Sequence, residues 1–288
     1  MENEYTGREI AIFTDSHGLL EPLKAILEDI KKRNITEIYS LGDNIGDGPN
    51  PNEVLDLLEQ YNVVSIAGNS EEYVNLGTEP FKYLYSGNRI EECNWTLSKL
   101  SSHQINNLKL YPHTIELLLG NKKVVLCHFA NDVRFDFWRN STWGYQDKIR
   151  NNDENSNKQF LYTNSEEQQK EIAEHTKSDK KEDGGYISAV KDPLFHGKPI
   201  TSYDEVIQGH THFKYHQNNC GINVRTIRAL AMAYNGDPNN MASYIILKEK
   251  KDGYDVFEVQ VEYDRDKMLE SIKKSDMPNK SKIEKFTR

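Results

Sequence analysis

Cysteine is scarce in this 288-residue chain. Its three residues, Cys93, Cys127 and Cys220, are odd in number, far apart and never spaced CxxC, which argues against a disulfide framework and a thiolate zinc site. They read as reduced thiols of a cytoplasmic protein. Positive charge is also in deficit: 36 Lys and Arg face 45 Asp and Glu, a net charge of −9. A phosphate-coated polymer would meet repulsion, so general nucleic-acid binding is not expected. Long apolar runs are missing too. No stretch approaches the roughly 20 residues of a membrane span, and the opening "MENEYTGREI" lacks the basic-then-apolar order of a signal peptide. No membrane partner is expected.

What is present is a rhythm of short β-rich runs and helical patterns. "EIAIFT" (9–14) is apolar and β-rich, and Leu20, Leu23, Ile26, Leu27 and Ile30 then recur at helical spacing, with Pro22 near the start where proline is tolerated. The order repeats through "TEIYSLG" (36–42), "PNEVLDLLEQY" (51–61) and "VVSIAGN" (63–69), a βαβαβ opening of a mostly parallel sheet with helices on its faces. Further strands are predicted at 114–119, 123–127, 204–208, 222–229, 242–248 and 254–262. The whole, residues 1–288, reads as a single α/β domain with one polar, cap-like insertion at about 131–203. Inside that insertion, Phe160, Leu161 and Tyr162 form an apolar island. The aromatics Phe135, Phe137, Trp138, Trp143 and Tyr145 suit either a lid over a ligand or local packing.

The polar residues that follow the strands are of one chemical kind. Asp15 and His17 follow the first, Asp43 the second, Asn69 the third, His128 the run "KVVLC", and His210 and His212 the run "EVIQ". In open α/β sheets ligands bind beyond the carboxyl ends of the strands, so seven metal-competent side chains from distant parts of the chain would meet at one rim. Taken singly, four of them have a plainer reading: Asp15 as a cap for the helix starting near Leu20, Asp43 and Asn69 as turn residues, His128 as a buried histidine. In "GHTHF" (209–213) strand-like alternation would turn His210 and His212 to the same side. His216 lies too far along to join them and is read as outside the ligand set.

These residues also carry a resemblance. "DSH" (15–17), "GDNIGDGPNPNEVLDLL" (42–58), "GNSEE" (68–72), "CHF" (127–129) and "GHTHF", in that order, resemble the successive motifs of the calcineurin-like metallophosphoesterases. "GDGPNPNEVLDLL" is similar to the small bacterial and archaeal members linked to nucleotide or dinucleoside polyphosphate hydrolysis. The resemblance implies a four-layer αββα sandwich of two mixed sheets with flanking helices, and two divalent or mixed-valence ions (Mn, Fe or Zn). Carried over, Asp15, His17 and His212 would hold one ion and Asn69, His128 and His210 the other, with Asp43 bridging. Asp43, Asn69 and His128 would also serve the reaction itself, Asn69 by contacting phosphate. The implied reaction is attack of a metal-bridging hydroxide on a phosphoester or phosphoanhydride of a small phosphorylated substrate.

The alternative is a catalytically inactive binding or scaffold protein that keeps the fold, against which the complete seven-residue set argues. One departure bears on mechanism. Relatives commonly read GNHD, whose histidine can protonate the leaving group, whereas Ser70 and Glu71 stand here after Gly68 and Asn69. Glu71, His103 and His196 are the substitutes in view. A second departure is "RALAMAYNGDP" (228–238), where relatives carry an NPGS-like loop.

Overall fold

The computed structural model describes residues 4–76, 87–128, 203–210, 212, 214–219, 222–231, 241–281 and 283. The chain opens as β1 (Tyr5–Phe13), α1 (Leu20–Lys32), β2 (Glu37–Ser40), α2 (Pro51–Gln60) and β3 (Val64–Ser65). Three helices follow, α3 (Asn69–Leu76), α4 (Gly87–Lys99) and α5 (Ser102–Leu108), then β4 (Thr114–Leu119) and β5 (Lys122–Cys127). The last part holds β6 (Glu205–Gln208), β7 (Tyr215–Asn219), β8 (Ile222–Thr226), β9 (Met241–Lys250), β10 (Gly253–Glu262) and α6 (Arg265–Lys274).

The strands form two mixed sheets, ordered β10-β9-β1-β2-β3 and β4-β5-β6-β8-β7. β1, β2 and β3 run parallel, as do β5, β6 and β8, and antiparallel strands flank each set. The expected architecture of two mixed sheets with flanking helices is present. The second half of β1, Ile10–Phe13, is an unbroken apolar run because both its faces are buried. Ala11 and Phe13 pack on one side with Leu23, Ile26, Leu27 and Ile30 of α1, Val54 and Leu58 of α2, and Met268 and Ile272 of α6. Ile10 and Ile12 face the second sheet and meet Leu117, Leu119, Val124, Leu126 and Ile207. Full burial of each such side chain stabilises by about 1.5–3 kcal/mol, so these two cores hold the strands whose ends carry the polar residues.

The strands after β6 differ from the sequence reading in two places. The strand predicted over 222–229 stops at Thr226, because its neighbour β6 ends at Gln208: Ile227 N–H donates to Gln208 O as the last rung, and Leu230 N–H turns to Thr14 O in the loop after β1. β7 has too polar a sequence, YHQNN, to signal a strand. The predicted insertion at about 131–203 lies outside the described residues apart from Tyr203, and with it Phe135, Phe137, Trp138, Trp143, Tyr145, Phe160, Leu161, Tyr162 and His196. Most of the 228–238 segment lies outside them as well. Among the described residues no helix is long and apolar enough to cross a membrane.

Candidate metal centre

The two sheets meet at the carboxyl ends of their parallel strands. Asp15 N–H donates to Gly42 O at 3.0 Å and His17 N–H to Asp43 O at 2.9 Å, so the loops after β1 and β2 continue the parallel pairing beyond the strands. From the second sheet, His210 N–H donates to Asp15 Oδ2 at 3.0 Å. Gly209 makes this approach, since a Cβ there would stand 2.1 Å from Thr14 Oγ1. This junction brings all seven sequence-predicted residues into one cluster.

The cluster has two halves. In the first, His17 Nε2 and His212 Nε2 are 3.0 Å apart, and Asp15 Oδ1 lies 3.3 Å from His212 Nε2 and 3.6 Å from His17 Nε2. In the second, Asn69 Oδ1 lies 2.9 Å from His210 Nδ1 and 3.1 Å from His128 Nε2, and those two nitrogens are 3.2 Å apart. Asp43 stands between the halves. Its Oδ2 is 3.8 Å from His17 Nε2 and 3.5 Å from His128 Nε2, while its Oδ1 accepts from Ser70 N–H at 2.7 Å. His128 Nδ1 faces Leu41 O at 2.8 Å, which makes Nδ1 the donor and leaves the Nε2 lone pair for the cluster.

Burial sets the protonation states. It disfavours the charged form of Asp15, yet the imidazoles of His212 and His128 hold its carboxyl far below the usual range. Desolvation pushes His17 down and His210 well down, which leaves them neutral with lone pairs to donate. At His128 burial is outweighed by the carboxylates of Asp43 and Asp15, and its pKa rises.

The donors fit a pair of cations on their own chemistry. Imidazole ligands on one ion at about 2.0–2.1 Å stand roughly 3 Å apart when their bonds are near perpendicular, which is the His17–His212 spacing. Asp15 Oδ1 is buried with no hydrogen-bond partner among the described residues, as expected of an oxygen meant for something other than a proton. Four imidazoles, two carboxylates and an amide, without thiolate, form a hard-to-borderline set suited to Mn, Fe or Zn. Two groups, Asp15–His17–His212 and Asp15–Asp43–His128, have ligand atoms mutually within 4.8 Å.

The backbone at these residues corrects the sequence reading of GHTH. His210 and His212 are not on a strand, since β6 ends at Gln208; both have left-handed backbone, φ 70° and 63°. Turns, rather than the period of two, aim them into different halves. Asp15, His17 and Asp43 share this conformation, with φ of 54°, 46° and 52°. Asp and His tolerate it better than most residues, but each such position costs on the order of 1–3 kcal/mol. The rival role for Asp15 is absent: α1 has Leu19 at its N-cap and no side-chain cap bond.

Other polar residues sort by position. His216 lies on β7, exposed and 3.8 Å from Glu205 Oε1, outside the cluster. His103 sits exposed on α5 against Glu59. Glu71, considered as an acid, is instead an acceptor: its Oε2 takes the N–H of Asp43 and Gly68, and its Oε1 that of Asn44, each at 2.8 Å. Burial and the Asp43 carboxylate push its pKa up to about 7 while the amides pull it down. Three amide donors favour the ionised form, which makes Glu71 an anchor for the two loops. Sequence reasoning also missed Asp47, buried beside His17, and Arg89, its partner from α4. For Asp47 the repeated G-D of "GDNIGDG" was a signal; nothing in the sequence marks Arg89.

Comparison with known proteins places this geometry. An uncharacterized protein of Methanocaldococcus jannaschii, MJ0912, is 36% identical over 142 residues, which are 49% of this chain and 57% of that relative. The match thus spans little more than half of the relative's length. The hypothetical protein PH1004 from Pyrococcus horikoshii superposes with a TM-score of 0.63 at 15% identity, over 97% of each chain. A metallophosphoesterase from Sphaerobacter thermophilus does so with a TM-score of 0.55 at 18% identity, over 98% of this chain and 99% of that one. Residues 8–214, from β1 past the last of the clustered histidines, match the calcineurin-like phosphoesterase family, and the chain belongs to that family.

Proposed function

We propose that the protein is a two-metal phosphoesterase that cleaves phosphoester or phosphoanhydride bonds of a small substrate, nucleotides and dinucleoside polyphosphates included. The observation that carries this reading is the position of Asp43, whose Oδ2 lies within 4 Å of an imidazole nitrogen in each half of the cluster. Asp15, His17 and His212 would hold one ion, Asn69, His128 and His210 the other, and Asp43 both. When bound, the ions supply an activated water and positive charge beside the phosphoryl oxygens.

The chain's own residues do the rest. Ionised Asp15 and the Asp43 carboxylate offset cationic charge, and neutral His17 and His210 donate lone pairs without adding any. The Leu41 carbonyl keeps His128 in one tautomer. Asn69 offers an amide that can both accept and donate. Among the described residues, proton delivery to the leaving group is the weak point, because Ser70 is a poor acid, Glu71 accepts from three backbone amides and His103 lies elsewhere on the surface. A phosphate or aryloxide leaving group needs little protonation, whereas an alkoxide needs much.

The expected result is therefore a steep fall of log kcat with leaving-group pKa, shallower in Ser70→His, and phosphoanhydrides or aryl diesters preferred to alkyl esters. Chelation should abolish turnover and Mn²⁺ restore it. Turnover that survives exhaustive chelation would sink the metal reading. A flat slope in the wild type, with chemistry limiting, would mean that an acid is present.

A further inference from the structure

The loop between β2 and α2 presses on His17 from two directions. A Cβ at Gly46 would lie 3.5 Å from His17 Nδ1, and one at Gly48 would collide with the His17 carbonyl oxygen at 2.3 Å. Asp47, between them, is buried, and its Oδ2 lies 4.0 Å from His17 Nδ1. His17 Nε2 already faces Asp15, Asp43 and His212. Nδ1 is the ring atom turned away from that cluster, and it is buried without a hydrogen bond among the described residues.

Behind Asp47 stands a charged network with no part in the ligand set. Arg89 of α4 donates to Asp47 Oδ1 and reaches Glu92 Oε2 at 3.3 Å, and its guanidinium lies 5.7 Å from the Tyr73 ring centroid. Glu92 Oε1 accepts in turn from Asn279 Nδ2 at 3.1 Å. The side chains of Arg89, Asp47 and Glu92 are only 10%, 8% and 9% exposed. Desolvating three charges costs several kcal/mol per ion, which their mutual attraction repays only in good geometry, and an apolar cluster would often serve stability as well. The network ends at His17.

We infer that Asp47 is a positioning residue for His17: its carboxylate accepts the Nδ1 proton, which turns the Nε2 lone pair toward Asp15 and His212, and Arg89 with Glu92 holds Asp47 in place. Histidine ligands usually carry such a partner on the other nitrogen; His128 has the Leu41 carbonyl, and Asp47 is the corresponding group for His17. Closing 4.0 Å to hydrogen-bond length takes a shift of about 1 Å. The inference rests on the two-metal reading above.

The test is calorimetric titration of Mn²⁺ into metal-free wild type and Asp47→Asn, below the unfolding range of both. One of two sites should weaken about 10–100-fold, the usual effect of removing such a partner, with the other unchanged and Asp47→Glu recovering part of the loss. Equal affinities in wild type and Asp47→Asn overturn the inference alone. A wild type that takes up no ion overturns the metal reading and the inference together. If Asp47→Asn does not fold, the tautomer of His17 in the zinc-loaded wild type decides, read by long-range ¹H–¹⁵N correlation. A proton on Nδ1 supports the proposal, and a proton on Nε2 overturns it.

Discussion

Asp43→Asn should lower kcat/KM at saturating Mn²⁺ by more than about 100-fold, beyond the roughly 10–100-fold typical of groups that only support a ligand. The substitution preserves shape, so the loss would come from chemistry. The carboxamide could still present an oxygen to Ser70 N–H, as Asp43 Oδ1 does now at 2.7 Å. Its NH₂ would then occupy the Oδ2 position, between His17 Nε2 and His128 Nε2. A carboxylate oxygen there can offset the repulsion between two cations, while an amide donor adds partial positive charge where two ions would meet. Metal content should fall along with activity, toward fewer than two ions per chain. His216→Ala, on exposed β7, should leave both within about twofold, since surface substitutions away from such features have small effects. Wild-type activity in Asp43→Asn would remove Asp43 from the centre of the site.

How much of this could be read from sequence follows from which signals are local. A β-rich apolar run marked β1, and periodicity marked α1, because Leu23, Ile26, Leu27 and Ile30 form a single buried stripe. The strand-end rule placed all seven clustered residues at one rim, since it depends only on where each apolar run stops. It did not give their backbone. Left-handed turns at Asp15, His17, Asp43, His210 and His212 are imposed by contacts between loops distant in sequence, such as His210 N–H on Asp15 Oδ2. Helix α4 escaped for the opposite reason to α1. Its buried face is Arg89, Glu92 and Thr96, at helical spacing but polar, so a search for apolar stripes passes over it. The same blindness hid the Asp47 network.

Glu71→Ala should destabilise the metal-free protein by about 3 kcal/mol or more, because three buried amides would lose their acceptor and each orphaned donor costs about 1–3 kcal/mol. The bonds run from Asp43, Asn44 and Gly68, so the carboxylate ties the loop after β2 to the loop after β3. These are the loops that present Asp43 and Asn69. Asp43 itself has left-handed backbone, φ 52°, a strain of order 1–3 kcal/mol that its own N–H bond to Glu71 helps offset. Glu71→Gln separates geometry from charge. A carboxamide oxygen can still accept from Asp43 and Gly68 at the Oε2 position, but its NH₂ would then face the Asn44 N–H, donor against donor. The expected loss for this second variant is about 1–3 kcal/mol, between wild type and Glu71→Ala. Urea unfolding of the metal-free proteins reads both, as a shift in midpoint at constant slope. Mn²⁺ affinity should weaken in the same order, since Asp43 and Asn69 lose their shared anchor. A Glu71→Ala protein within about 0.5 kcal/mol of wild type would show that the loops hold themselves, and the left-handed turn at Asp43 would then need another source of support.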